Sequence, residues 1–239
     1  MTNTAAKPVL FCWSGGKDSC MALHQLRRDP LREVVALLTT VTEGYDRISM
    51  HGVRRILLER QAAALGLPLE IVTIPPKCVN IEYESRMEAM LLTWKNRGVT
   101  DVAFGDIFLQ DLREYREKNL ARVGMSALFP VWLRPTRELA REFIALGFRA
   151  VTVCTDPKIL DESFVGREID EEFLAALPAE ADPCGENGEF HSFVYDGPGF
   201  STPVDFTPGE KVLRDGFYFC DLLPAEPTAK SARIEGTLS

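Results

Sequence analysis

Short apolar runs alternate with amphipathic segments along the first 155 residues of the chain. The apolar runs have the length and content of strands buried on both faces, and the amphipathic segments repeat apolar residues at helical spacing. Most of the helical segments end at a glycine, which favours helix termination. The predicted strands are residues 9–13, 34–40, 69–74, 101–105 and 148–154, and the predicted helices are residues 19–28, 54–65, 81–97, 111–123 and 136–146. This alternation predicts an α/β fold with a doubly wound, mostly parallel sheet of five strands.

The pattern changes after about residue 155. Residues 169–177 have the spacing of a short helix, and residues 189–196 alternate as a strand does. Residues 211–223 predict two strands joined at Asp215-Gly216, a dipeptide typical of hairpin turns. From residue 224 onward small and polar residues predominate, as in loose terminal segments. The predicted division is a first domain at residues 1–135, a smaller α+β portion at residues 136–223 and a flexible tail at residues 224–239.

The composition is that of an ordinary globular protein, with 46% hydrophobic and 26% charged residues among 239. The net charge of −8 disfavours non-specific binding to nucleic acid, since phosphate neutralisation needs a basic surface. No apolar run is long enough for a membrane span, and the N-terminus lacks the apolar core of a secretory signal. None of the six cysteines forms a CxxC pair, so we expect neither a zinc ribbon nor a dithiol redox motif. These features favour a cytoplasmic location.

The hexapeptide SGGKDS at residues 14–19 lies between the first predicted strand and the first predicted helix. Its two glycines allow close backbone approach, and the amides at the following helix N-terminus attract an anion. Lys17 adds a positive charge and the two serines add hydroxyl donors, while Asp18 is suited to cap the helix or orient Lys17 or a metal. A glycine-rich turn with an ordinary cap is the alternative interpretation. The full hexapeptide in this context favours phosphate binding, although it is neither a Walker A motif nor GxGxxG.

Two later stretches carry further polar side chains. Asp106 follows Gly105 at the end of the fourth predicted strand, where its carboxylate is suited either to Mg²⁺ or to capping the next helix. Glu189 and His191 alternate with Phe190, so on a strand they share one face and are suited to bind or deprotonate an amine. The alternative for this second stretch is a polar, glycine-rich turn before a hairpin.

Residues 14–19 resemble the pyrophosphate-binding loop of the ATP-pyrophosphatase (PP-loop) superfamily. Together with the later stretches they resemble the diphthine–ammonia ligase (diphthamide synthetase) family within it. The stretches that carry this resemblance are residues 14–19, 105–107 with Gln110 and Asp111, 128–134 and 186–192. The chain departs from the family pattern at Asp111, where Arg is usual, and at Asn187, His191 and Ser192, where Gly, Glu and Thr are usual.

The resemblance implies a Rossmann-like PP-loop ATPase fold, with ATP binding in the first domain and substrate binding in the smaller portion. It implies Mg-ATP as cofactor, adenylation of a substrate carboxylate with release of pyrophosphate, and displacement of AMP by ammonia. The residues implied for ATP are Ser14, Gly15, Gly16, Lys17, Asp18, Ser19 and Gly105, with Asp106 for the metal. The catalytic residues implied are Lys17, Asp18, Glu189 and His191, and the substrate-binding residues are Glu186, Asn187, Glu189 and His191.

The sequence does not identify the carboxylic acid that serves as substrate. It is either diphthine, which is a modified protein side chain, or another carboxylate such as a small metabolite. A tRNA-thiolating enzyme of the same superfamily is one alternative, which the acidic charge and the missing CxxC disfavour. A nucleotide-binding module without catalysis is another, which the complete Lys17-Asp18-Ser19 disfavours. The predicted hairpin near the C-terminus offers a surface for a homodimer, and the oligomeric state stays open.

Overall fold

The computed structural model describes residues 5–48 and 52–225 of the chain. The predicted α/β architecture is confirmed, with a mostly parallel sheet and a second, antiparallel sheet. The helices of eight or more residues are α1 (Lys17–Leu26), α2 (Arg55–Ala64), α3 (Asn80–Asn96), α4 (Gln110–Arg122) and α5 (Thr136–Ala145), and a short α6 (Glu171–Ala176) follows. The strands are β1 (Lys7–Cys12), β2 (Arg32–Thr42), β3 (Arg47–Ile48), β4 (Leu69–Ile74), β5 (Asp101–Ala103), β6 (Ser126–Leu128), β7 (Arg149–Thr155), β8 (Phe190–Asp196), β9 (Phe206–Arg214) and β10 (Phe217–Pro224).

The first sheet has the strand order β3-β2-β1-β5-β6, and β4 also pairs with β2. All of its pairings are parallel except that of the two-residue β3 with β2. Side chains alternate across the sheet as the strand period requires: Val9 and Phe11 pack on one face and Leu10 on the other. Helices α3 and α4 cover the Leu10 face, and α1, α2 and α5 cover the opposite one. This is the doubly wound arrangement that the sequence predicts.

The second sheet has the order β8-β7-β10-β9, with antiparallel pairings throughout. Residues 148–154 were expected to extend the parallel sheet, and this part of the prediction is wrong. They form β7, which pairs with β8 and β10, and the parallel sheet gains β6 instead. Every residue of β7 after Arg149 is buried, so its sequence is the continuous apolar run that is also typical of parallel strands. With three residues, β6 is too short to show the alternation of apolar and polar positions that identifies a strand.

One apolar cluster joins the two sheets. It runs from Val9 and Phe11 of the first sheet through Met21 of α1 to Val151 and Phe193 of the second. The domain boundary predicted after residue 135 therefore does not coincide with a break in the core, and it stays a prediction. The strand β10 reaches Pro224, the first residue of the predicted tail, and residues 226–239 lie outside the described part. Within the described ranges, no helix has both the length and the apolar content needed to cross a membrane.

The side chain of Gln61 ties the two sheets together at the end of β1. It is fully buried; its Oε1 accepts from the indole Nε1 of Trp13 at 3.0 Å, and its Nε2 donates to the carbonyl oxygens of Gly15 at 2.9 Å and Val194 at 2.5 Å. The amide of Val194 also donates to the Gly15 carbonyl at 2.9 Å. The turn that follows β1 is thus fixed to β8. The two segments are far apart in the sequence: Lys17 and Ser192, which also bond across this junction, are 175 residues apart.

Replacing Gln61 with Leu should lower the free energy of unfolding by about 3 kcal/mol, since it leaves a buried indole N–H and a carbonyl oxygen without partners. Urea denaturation measures the change. Gln25→Leu is the matched control, because Gln25 is exposed on α1 and the same substitution there should change stability by less than about 0.5 kcal/mol. Equal effects of the two variants would contradict the role given to Gln61.

Candidate active site

A cleft of about 720 Å³ opens beyond the carboxyl ends of β1, β2 and β5. Ligands bind at this edge of doubly wound sheets, where loops from neighbouring strands converge. Its walls come from the loop after β1, the end of β2, helices α3 and α4, and the turn before β8. The predicted site residues that line it are Ser14, Gly16, Lys17, Asp18, Ser19, Gly105, Asp106, Glu186, Asn187 and His191.

Backbone groups at the start of α1 form a cradle for an anion. The first amides of any helix have no acceptor within the helix, and here Gly16 is the residue before the first turn. The Ser14 hydroxyl accepts from the Gly16 amide at 3.2 Å and lies 2.8 Å from the Ser19 hydroxyl, which fixes both oxygens beside those amides. Gly15 has φ +77°, a value that glycine adopts without strain. This geometry fits a phosphate group.

Gly105 lies directly against this cradle. A Cβ at this position would be 2.8 Å from the backbone nitrogen of Ser19, so only glycine allows the end of β5 to approach so closely. The sequence placed Gly105 with the ATP residues by resemblance, and the structure adds a steric reason for its presence.

The buried Lys17 forms an ion pair with the partly buried Asp18 at 2.8 Å. The Lys17 ammonium also donates to the carbonyl oxygen of Cys184 and lies 4.9 Å from the centre of the Phe190 ring. Burial is the largest single effect and opposes its charge, but Asp18, Cys184 and Glu186 together outweigh burial and raise the pKa of Lys17 above its ordinary value. Lys17 therefore stays positively charged. Its ammonium group lines the cleft and also contacts the turn that precedes β8.

Asp106, which the sequence predicts as a metal ligand, is paired with Arg116 in this structure. Its Oδ2 lies 2.6 Å from Nε of Arg116 and its Oδ1 accepts from Nη2 at 3.1 Å, while the guanidinium stacks 4.4 Å from the centre of the Phe104 ring. Burial is the largest single effect and acts to lower the pKa of Arg116, but Asp106, with smaller effects from Cys12 and Tyr83, outweighs burial and raises it. Across residues 5–48 and 52–225 no group of three or more His, Cys, Asp or Glu side chains is arranged to hold a metal ion.

Sequence analysis missed Arg116. In isolation its helix has the alternating charges of a solvated surface, and pairs such as Arg113 with Glu117 at 2.8 Å are of that kind. Only the contact of Arg116 with Asp106, ten residues away at the end of β5, turns this side chain into the cleft. No local signal in the sequence distinguishes it from its neighbours.

Glu189, expected to act in catalysis and substrate binding, lies inside its own turn. Its carboxylate accepts from the amides of Asp182 at 2.8 Å and Asn187 at 3.0 Å, and from the Asn187 side chain at 3.0 Å. Only 5% of the residue is exposed, and it is not among the residues that line the cleft. The expected shared face of Glu189 and His191 does not form there, because Glu189 precedes the first residue of β8. Glu189 fixes the turn instead.

Glu186, four residues before the first residue of β8, does reach the cleft. Its Oε1 accepts from the backbone amides of Ile107 at 2.7 Å and Phe108 at 3.4 Å. Burial raises its pKa to about 7, and the neighbouring carboxylates of Asp18 and Asp106 act in the same direction against the two amides. Glu186 is therefore a cleft carboxyl group that titrates near neutral pH.

His191 and Ser192 bring the second sheet to the cleft. The Ser192 hydroxyl accepts from the Lys17 amide at 3.1 Å, which joins β8 to the first turn of α1. Burial, with a smaller effect from the Lys17 charge, lowers the pKa of His191 to about 4. The imidazole is therefore neutral at pH 7. A neutral imidazole beside an anion cradle and a fixed ammonium can contact an uncharged amine.

Comparison with known proteins gives a consistent result over nearly the whole chain. Residues 7–127 match the family model of the diphthamide synthase N-terminal domain, and residues 135–223 match that of the diphthamide synthase C-terminal domain. The chain is 27% identical to the diphthine–ammonia ligase of Mus musculus over 228 residues, which are 86% of this chain and 85% of that protein. It is also 27% identical to the Homo sapiens enzyme of that name over 86% of this chain and 85% of that protein, and to the Schizosaccharomyces pombe enzyme over 90% and 38%.

The low pKa of His191 gives a pH dependence with a defined sign. Folding favours the neutral imidazole, so its contribution to stability is complete above the ordinary pKa of 6.5 and is lost as the pH falls toward about 4. In wild type this loss should reach about 3 kcal/mol, and His191→Gln should remove it. Urea unfolding at pH 4 to 7 compares the two proteins.

Titration of the histidine signals by NMR is the direct check on His191, with His24→Gln used to assign them. An imidazole signal of His191 that titrates near pH 6.5 in the folded protein would contradict the burial given for it here.

Proposed function

This chain belongs to the diphthamide synthase family, and from that membership we propose that it is an ATP-dependent carbon–nitrogen ligase of the diphthine–ammonia ligase type. One observation carries the proposal: an anion cradle at Ser14–Ser19 and a second set of polar groups from the turn before β8 face each other across a single cleft. A ligase that joins an activated carboxylate to ammonia needs a nucleotide site and an acceptor site within bonding distance of each other.

The cradle fits the phosphates of ATP. The α1 amides other than that of Lys17, one hydroxyl of the Ser14–Ser19 pair and the Lys17 ammonium are suited to donate to phosphate oxygens, and Gly105 leaves room for close approach. ATP bound there would supply an α-phosphate for activation of the substrate carboxylate, with release of pyrophosphate and later of AMP. Residues of the chain hold the reactants in line and neutralise the phosphate charge.

The residues around Asp106 do not fit a preformed metal site, since Arg116 holds both of its carboxylate oxygens. Mg²⁺ is commonly carried to such sites on the nucleotide phosphates with few protein ligands. We therefore propose Mg-ATP as the form that binds and assign no step to a metal on Asp106.

We assign the contact with ammonia to His191 rather than to Glu189. The Glu189 oxygens accept from Asp182 and Asn187 inside the turn, whereas the neutral His191 imidazole lines the cleft and adds no charge that would repel ammonium during its entry. The proposed acceptor substrate is a carboxylate, either diphthine, after which the curated relatives are named, or another acid.

The reaction is tested by measuring AMP and pyrophosphate release from Mg-ATP and ammonium, with protein, RNA and small-molecule fractions of a host extract added separately. The expected result is release that needs both ammonium and either the protein or the small-molecule fraction. Stimulation by RNA without ammonium would indicate thiolation, and tight ATP binding without release under any addition would indicate a nucleotide sensor. Either result would overturn the proposal.

Lys17→Met should lower this turnover by about 100-fold, because it removes the fixed positive charge from the phosphate cradle. Lys118→Met on the exposed face of α4 is the matched control and should leave turnover within twofold. Circular dichroism at the assay temperature establishes that both variants are folded. Turnover of the Lys17 variant equal to that of the control would remove Lys17 from the mechanism.

Gly105→Ala should weaken ATP binding at least tenfold in calorimetric titrations, since its Cβ would lie 2.8 Å from the Ser19 nitrogen and displace the cradle. Gly209→Ala in β9 adds the same methyl group far from the loop and should bind ATP as wild type does. Unchanged affinity in the Gly105 variant would show that the cradle does not receive the nucleotide.

A further inference from the structure

The backbone amides of Ile107 and Phe108, called here the 107–108 amide pair, lie behind Glu186, which lines the cleft although Ile107 and Phe108 do not. Both point to the same oxygen, Oε1 of Glu186, at 2.7 and 3.4 Å. The pair is rigidly supported: the Ile107 side chain is fully buried, and its carbonyl oxygen accepts from the Leu133 amide at 2.7 Å. Two converging amides on a fixed backbone are a common carboxylate-binding arrangement.

This pair lies beside the phosphate cradle. Gly105, two residues before Ile107, is close enough to α1 that a Cβ there would meet the Ser19 nitrogen at 2.8 Å. A carboxylate on the 107–108 amide pair is therefore next to the N-terminus of α1, where the phosphates of a nucleotide would lie. A carboxylate that is to be activated by ATP must be held in such a place.

The carboxylate of Glu186 now occupies that position, and only its side chain needs to move for it to leave. The turn around it is fixed at other points: Asp182 Oδ1 accepts from the amides of Cys184 at 2.9 Å and Glu186 at 3.2 Å, and Glu189 holds Asn187. The neighbouring carboxylates of Asp18 and Asp106 disfavour the Glu186 charge at this place. Rotation of one side chain then exposes the amide pair without unfolding the turn.

We propose that the 107–108 amide pair binds the carboxylate of the acceptor substrate, and that Glu186 is a built-in competitor which holds this position until the substrate displaces it. The inference rests on the proposed ligase function for the identity of the incoming group. It also defines specificity. The site selects a monoanionic carboxylate, since Asp18 and Asp106 repel a dianion such as phosphate more strongly.

The test uses acetate as the probe and needs no ATP. Acetate is titrated into ¹⁵N-labelled protein at pH 7.5, and binding is read from the NMR signals of the Ile107 and Phe108 amides. Glu186→Ala should bind acetate at least tenfold more tightly than wild type, with the shifts concentrated at those two amides. Glu180→Ala, an exposed glutamate of the same segment, is the matched control and should behave as wild type.

Glu186→Gln keeps the shape and an acceptor oxygen but loses the charge, so its affinity for acetate should lie between those of wild type and Glu186→Ala. If Glu186→Ala does not fold, Glu186→Gln tests the inference in its place. Equal acetate affinity in wild type and the Glu186 variants, shifts away from Ile107 and Phe108, or equal binding of inorganic phosphate would each overturn the inference. These results are independent of AMP and pyrophosphate release, so failure of the inference and failure of the ligase proposal are distinguishable.

Discussion

The carbonyl oxygen of Gly15 accepts hydrogen bonds from the Val194 amide and the Gln61 side chain, and the shape of the cleft depends on this junction. It holds the loop after β1 against β8, so that the α1 N-terminus and His191 face one space. The Ser192 hydroxyl on the Lys17 amide and the Lys17 ammonium on the Cys184 carbonyl reinforce it. The loop after β1 is therefore shaped by the antiparallel sheet as much as by the parallel sheet that carries it.

Charge balance in the cleft follows a simple scheme. Lys17 pairs with Asp18, and Arg116 pairs with Asp106, so two of the cleft carboxylates each have a fixed cationic partner. Glu186 is held by backbone amides alone, and burial brings its pKa to about 7. An unpaired buried carboxylate is the group that an incoming ligand displaces at the lowest energetic cost, because no ion pair has to be broken.

The sequence predicted those parts of the molecule that local pattern determines. The α/β class, the helices and the hairpin at Asp215-Gly216 follow from periodicity and turn residues, and residues 14–19 form a compact motif on one turn. What it could not predict depends on contacts that no local pattern of apolar and polar residues specifies. Asp106 lies against Arg116 and Glu189 turns into its own loop, while β7 joins the second sheet through pairings with β8 and β10. The metal role of Asp106 and the domain boundary after residue 135 stay predictions.

The single core shared by the two sheets has a consequence for how the chain is made. Helix α1 and its loop leave the ribosome early, but Val194, Ser192 and the Cys184 carbonyl, which fix them, are synthesised about 170 residues later. Until then the residues of α1 that belong to the shared core, among them Met21 and Leu23, lack the part of that core that β8 supplies. A nascent chain at that stage exposes apolar surface, which is the condition under which chaperones engage. The contacts of the loop after β1 with Ser192 and Val194 can therefore form only when synthesis of the chain is nearly complete.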